Sequence, residues 1–154
     1  MIDTPEITQT AAQRTAVIHI VVPREEIRDV MEPGLSELLA TIAAQGVAPA
    51  GPWFTHHLRM DPGTFDFELG VPVGAPVAEA GRVRPGELPA ARVARTVYQG
   101  DYDGLSQAWS EFGAWINARG LTPAADFWEC YAIGPESNPD PETWRTELVR
   151  PLAG

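Results

Sequence analysis

The residues able to do chemistry concentrate in one short run, Phe127-Trp128-Glu129-Cys130-Tyr131. Strand periodicity of two sends Phe127, Glu129 and Tyr131 to one face and Trp128, Cys130 and Ala132 to the other. The second set is uncharged and suits packing against a helix, so by elimination Glu129 is expected to face a cleft, between two aromatic rings. A carboxylate so placed is a receptor for an organic cation, because ring faces are electronegative and the carboxylate supplies the counter-charge. Desolvation would also raise its pKa, equipping it to take a proton or orient an attacking water. The bland alternative is an edge-strand Glu in solvent.

Further candidates flank that run. Trp53, Thr55 and His57 stand 74 residues before Phe127, Glu129 and Tyr131 in a matching strand, which predicts an asymmetric pocket. Adjacent histidines on a strand put one on each side, and which of His56 and His57 faces the cleft is left open; His57 could donate to a ligand, share a proton with Glu129, or be a hydrogen-bonded structural residue. Glu68 is a possible second cleft carboxylate; ion pairing at a hairpin edge explains Glu68 and Glu147 equally. Tyr98, Tyr102 and Trp144 lie near strand ends or turns, suited to a pocket rim or to the core. Cys130 reads as a small apolar filler, since no neighbouring base would lower its pKa. His19, inside a β-branched strand, reads as packing. Three scattered histidines and one cysteine have no ligand spacing, so neither a metal nor a cofactor is expected.

Positioning such residues requires a scaffold, and the chain writes one twice. Gly46-Val47-Ala48-Pro49-Ala50 is repeated as Gly120-Leu121-Thr122-Pro123-Ala124, an offset of 74, and Glu68-Leu69-Gly70-Val71-Pro72 aligns with Glu147-Leu148-Val149-Arg150-Pro151 at 79. The predicted elements are a strand over 16–22 closed by Pro23, then a helix with Pro33 in its first turn and Leu35, Leu38, Leu39 and Ile42 on one face. Strands over 52–60 and 64–73 follow, joined by an Asp61-Pro62-Gly63 turn. Residues 74–89, rich in Pro and Gly, read as a linker between the halves. The second half offers a strand over 91–98, a turn able to cap the next helix with an Asp carboxylate, and a helix carrying Leu105, Trp109, Phe112, Trp115 and Ile116 up to Gly120. This aromatic stripe reads as core. Strands over 127–133 and 144–150 close it, around a loop at 134–141. The fold class expected is therefore α+β: a tandem strand-helix-strand-strand duplication (about 15–73 and 90–152), with an antiparallel sheet, helices on one side and a central ligand cleft. Residues 1–14 read as a flexible lead-in to a single domain over 15–154.

Composition narrows the partners. The chain of 154 residues is 44% hydrophobic, with five Trp and five Phe, and is long enough for a compact core. No apolar run approaches the roughly 20 residues of a membrane span, and the polar start lacks a signal-peptide pattern, so a cytoplasmic protein is expected. A formal net charge of -10 disfavours nucleic acid. Arg82, Arg84, Arg92 and Arg95 are too spread, without interleaved aromatics, to reverse that. A neutral or cationic small molecule is the easier partner, with the oligomeric state left open.

The segment Tyr98-Gln99-Gly100-Asp101-Tyr102-Asp103-Gly104-Leu105, with Trp109, Trp115, Gly120, the run 127–131, and Trp144 through Leu152, resembles the GyrI-like family. Phe67-Glu68-Leu69-Gly70-Val71-Pro72-Val73 is the matching signature of the first half, and the likeness covers about residues 15 to 152. The resemblance implies two strand-helix-strand-strand modules around a small-molecule cleft, found alone or joined to the DNA-binding domains of AraC-type and MerR-type regulators. It implies hydrophobic, often cationic ligands and points to Glu129 as the ligand-binding acid. It implies two further functions: hydrolysis of cyclopropane-bearing DNA-alkylating natural products, and binding of DNA gyrase. The His56-His57 pair departs from a strand usually richer in Tyr. No helix-turn-helix pattern precedes residue 15, so direct DNA reading is not expected.

Overall fold

Residues 2–60, 62–135 and 137–153 are described by the computed structural model. Asp61 of the expected turn and Glu136 of the expected loop lie outside the described residues. The strands are β1 (Glu6–Gln9), β2 (Gln13–Pro23), β3 (Phe54–Met60), β4 (Thr64–Pro72), β5 (Val83–Leu88), β6 (Arg92–Gln99), β7 (Phe127–Ile133) and β8 (Arg145–Pro151); the α-helices are α1 (Ile27–Ala44) and α2 (Leu105–Ala118). The chain divides into two compact units, Ala11–Ala90 and Met1–Thr10 with Ala91–Gly154. The fold is α+β, each unit an antiparallel sheet carrying one helix.

In the unit of residues 11–90 the strand order is β3-β4-β2-β5. Alternation along β2 and β4 turns Ala16, Ile18, Ile20, Phe67, Leu69 and Val71 to one face, where Leu38 and Ile42 of α1 complete the core. The helix comes very close at Gly34, where a Cβ would lie 2.8 Å from Leu69 Cδ2. In the other unit the order is β1-β6-β8-β7, with Ala94, Tyr98 and Leu148 meeting Ala108, Phe112 and Ile116 of α2.

The duplication reaches down to backbone detail. Gly46 and Gly120 end the two helices at φ of 74° and 70°, a conformation that costs a residue without Cβ nothing. Ala50 N–H donates to Pro72 and Ala124 N–H to Pro151, each at 2.8 Å. The register also slips at the same repeat position, between His57 and Arg59 in β3 and between Tyr131 and Ile133 in β7.

Four expectations are corrected. Residues 1–14 are not a loose lead-in: β1 pairs with β6 from Glu6↔Arg95 to Gln9↔Arg92, and β2 begins at Gln13. Beyond it, Thr10 is clasped to Ala91 by Thr10 N–H to Ala91 O at 2.8 Å and Ala91 N–H to Thr10 Oγ1 at 3.0 Å. Residues 74–89 contain β5, which pairs with β2 despite Pro85, as an edge strand can. α1 begins six residues before Pro33, which sits inside the helix. There the ring removes the N–H due to Asp29 O, a loss the packing of Leu38 and Ile42 outweighs. Finally, α2 is entered through a 3-10 turn over Tyr102–Gly104, and neither Gly104 before the helix nor Asp101 before the turn makes a side-chain cap.

Candidate functional site

Cross-strand register sets which side chains share a face. Glu129 lies opposite Leu148 and Tyr131 opposite Thr146; Leu148 and Thr146 in turn face Thr96 and Tyr98. Leu148 and Tyr98 pack on α2, so Phe127, Glu129 and Tyr131 stand on the helix-bearing face. This reverses the expected assignment, which gave that face to Trp128 and Cys130. The error was to take an uncharged set as the buried set: Glu129 is itself 8% exposed.

Burial of a carboxylate demands donors. Trp109 of α2 supplies one, its indole Nε1–H reaching Glu129 Oε2 at 2.6 Å. Tyr131, two residues along the strand, supplies the other, its hydroxyl donating to Glu129 Oε1 at 2.6 Å. Desolvation raises the Glu129 pKa above the carboxylate range, and the Tyr131 and Trp109 hydrogen bonds, which favour the ionised form, offset part of that rise.

Rings enclose the acid on both flanks. On the Oε2 side Trp109 meets Phe127 edge-on at 4.6 Å between centroids and Phe112 at 5.7 Å. On the Oε1 side Tyr131 meets Tyr102 at 5.7 Å, and Tyr102 lies against Trp144 at 5.0 Å. The Trp144 indole is fixed by donating to Asn138 O at 2.8 Å. Tyr98, another candidate, belongs to the core under α2, its phenol lying against Gly100 and Gly104. Tyr102, read as a rim or core ring, lies beside Tyr131, whereas Trp109 was read only as core. A helical Trp on an apolar stripe reads as core, but its N–H needs an acceptor, and the buried Glu129 is that acceptor.

In the unit of residues 11–90, Thr55 and His57 likewise share the helix-bearing face, Thr55 opposite Leu69 and His57 opposite Phe67. The His57 ring stacks on Phe67 at 5.3 Å, meets Phe65 edge-on at 5.5 Å, and its Nε2 is 3.2 Å from Thr55 Oγ1. Burial, with the nearby His56 and Arg24, pushes its pKa down to about 4, so it is a neutral imidazole at neutral pH. Trp53 packs against the core of this unit. Glu68 stands on the opposite face from Thr55 and His57. There it lies 3.6 Å from Arg84 and 4.0 Å from His56, and beside them Asp66 joins His19 at 2.6 Å and Arg59 at 3.2 Å. As a second acid beside Thr55 and His57, Glu68 is excluded by the pleat. His19, expected as packing, is exposed and hydrogen-bonded to Asp66.

Among the described residues no His/Cys/Asp/Glu group could hold a metal ion. No described helix is long and apolar enough to cross a membrane. Cys130 is half-buried, and burial pushes its thiol up to about 12, so it is not a nucleophile at neutral pH.

The chain matches no curated protein by sequence. Its fold is similar to the EcmrR C-terminal domain, at 18% identity and a TM-score of 0.85, covering 97% of each chain. It spans 57% of the EcmrR chain in a cryo-EM complex with DNA, TM-score 0.84. SAV2435 bound to tetraphenylphosphonium is similar at 17% identity and a TM-score of 0.74, over 99% of this chain and 95% of that one. A hydrolase from Listeria innocua is similar at 12% identity and a TM-score of 0.67, over 97% of this chain and 91% of that one. A family model matches residues 3–153, and with it the chain belongs to the GyrI-like small molecule binding domain family.

Proposed function

We propose that the protein binds hydrophobic organic cations, with Glu129 as counter-charge and Trp109, Phe127, Tyr131, Tyr102 and Trp144 as aromatic contacts. One observation carries this reading: the buried Glu129 has two hydrogen-bond partners, an indole and a phenol, and both are neutral. They stabilise the carboxylate without cancelling its charge, leaving a negative centre among rings, the complement of a delocalised cation. The tetraphenylphosphonium bound by SAV2435 is a probe of this chemistry. Titration of the protein with tetraphenylphosphonium, followed by calorimetry, should show saturable binding that Glu129→Gln weakens at least tenfold. Unchanged affinity in that variant removes Glu129 from the site.

A hydrolytic role is favoured by the raised Glu129 pKa, which suits a general base. Against it, each carboxylate oxygen already accepts a hydrogen bond, so an attacking water would have to reach a remaining lone pair of a carboxylate that is only 8% exposed. Release of a ring-opened product from a cyclopropane-bearing alkylator, abolished by Glu129→Gln, would favour catalysis over binding alone.

A further inference from the structure

The two flanks of Glu129 differ in a way that the repeat makes visible. Phe127, at the outer end of the Oε2 flank, already carries a cation: the Arg150 guanidinium carbon lies 5.4 Å from its ring centroid. Arg150 is held there, half-buried, by two hydrogen bonds to Ala124 O, from Nε at 3.1 Å and from an Nη at 2.8 Å. The fold does not require a charge at this position. Its repeat partner, 79 residues earlier, is Val71, an apolar residue 1% exposed, at the same place before the Pro72/Pro151 strand end. A guanidinium is thus placed on a site ring where the sister unit manages with a valine. A ring face engaged by one cation repels a second, and the two like charges repel each other across a poorly screened gap. Asp126, the acidic group near Arg150, compensates part of its charge.

We propose that Arg150 is a specificity-determining residue, a built-in cation that occupies Phe127 and lowers the affinity of the Glu129 site for ligand cations. The inference rests on the reading of Glu129 as a cation site. Arg150 does not touch the carboxylate; it acts through Phe127 and through its field.

The test uses the whole chain, the phosphonium probe and a neutral analogue of similar shape, triphenylphosphine oxide. Arg150→Gln keeps an amide N–H able to reach Ala124 O while removing the charge; Arg150→Lys keeps the charge. The expected result is that Arg150→Gln tightens phosphonium binding about tenfold and leaves the neutral analogue unchanged, with Arg150→Lys close to the parent. Phe127→Leu should weaken phosphonium binding in the Arg150→Gln background more than in the parent, since only there does the ring become available. If both ligands shift together, or Phe127→Leu acts equally in both backgrounds, Arg150 is a structural tie and the proposal is overturned. A parent that binds phosphonium with full dependence on Glu129, but is indifferent to Arg150→Gln, overturns this inference alone. A parent that does not bind phosphonium overturns the Glu129 reading and this one with it.

Discussion

Replacing Glu129 by Gln separates charge from shape at the centre of the site. The amide can still accept from the Trp109 indole and donate to the Tyr131 hydroxyl, the two groups that hold the carboxylate at 2.6 Å. What is lost is the charge. A ligand cation held about 5 Å from the carboxylate, the stand-off of one aromatic layer, gains about 3 kcal/mol at an effective dielectric of about 20. That corresponds to about a hundredfold in affinity, of which the amide dipole recovers part, so a loss between ten and a hundredfold is expected. The pH dependence is more telling than the size. Burial holds the Glu129 pKa above its ordinary 4.5, and proton and cation compete for the same oxygens. Parent affinity should therefore fall as pH drops through that raised value, approaching about tenfold per pH unit, while the Gln variant stays flat. Stability moves the other way. A carboxyl whose folded pKa is raised stabilises the fold fully below its unfolded pKa and loses that contribution as pH rises through the folded value. Glu129→Gln should thus melt at least as high as the parent at pH 8 and converge with it near pH 4. Calorimetric titrations at pH 5, 6, 7 and 8, with melting curves at each, test both parts. Parallel binding profiles for the two proteins would refute the assignment.

Other perturbations address the supports of the site. Trp109→Phe keeps a ring but removes the donor to Glu129 Oε2, so urea unfolding at pH 8 should show a loss of about 1.5–3 kcal/mol, shrinking where Glu129 is protonated. His57, its pKa lowered from 6.5 to about 4, contributes its full stability above pH 6.5 and loses it as pH falls toward 4, by about 3 kcal/mol. Its C2 proton chemical shift should show no titration near pH 6.5, and a midpoint there would refute its burial. Gly104→Ala places a Cβ against the Tyr98 hydroxyl and should cost about 1–3 kcal/mol in thermal unfolding, recovered in part by adding Tyr98→Phe.

The repeat was legible because helix stops and strand ends use residues with few substitutes. Gly46 and Gly120 must tolerate a positive φ, and each is followed by Pro three residues on, so the α1 and α2 C-termini and β3, β4, β7 and β8 fall close to where spacing puts them. The edge strands were not legible. β1 is almost wholly exposed and so has no apolar alternation to read, and β5 hides its pattern behind Pro85 and Gly86, the latter needed because a Cβ there would lie 2.9 Å from Thr15 Oγ1. At the site, alternation grouped Phe127, Glu129 and Tyr131 correctly but could not say which face the helix covers. That depends on Trp109, whose place on an apolar stripe is the same whether its N–H meets an acid or nothing. Glu68 misled for the same reason, since alternation does not show which face the helix covers; like its repeat partner Glu147, it lies on the helix-free face of its unit and is ion-paired, Glu68 with Arg84 and Glu147 with Arg95.

The clasp between Thr10 and Ala91 makes residues 11–90 topologically an excursion, since the chain leaves and rejoins one unit at neighbouring points. Splicing Thr10 to Ala91 through a few glycines would yield a miniature protein retaining Glu129 and its aromatic flanks on an uninterrupted sheet. In the same way, the excised stretch could be exchanged for a foreign insert, making the clasp a natural grafting point.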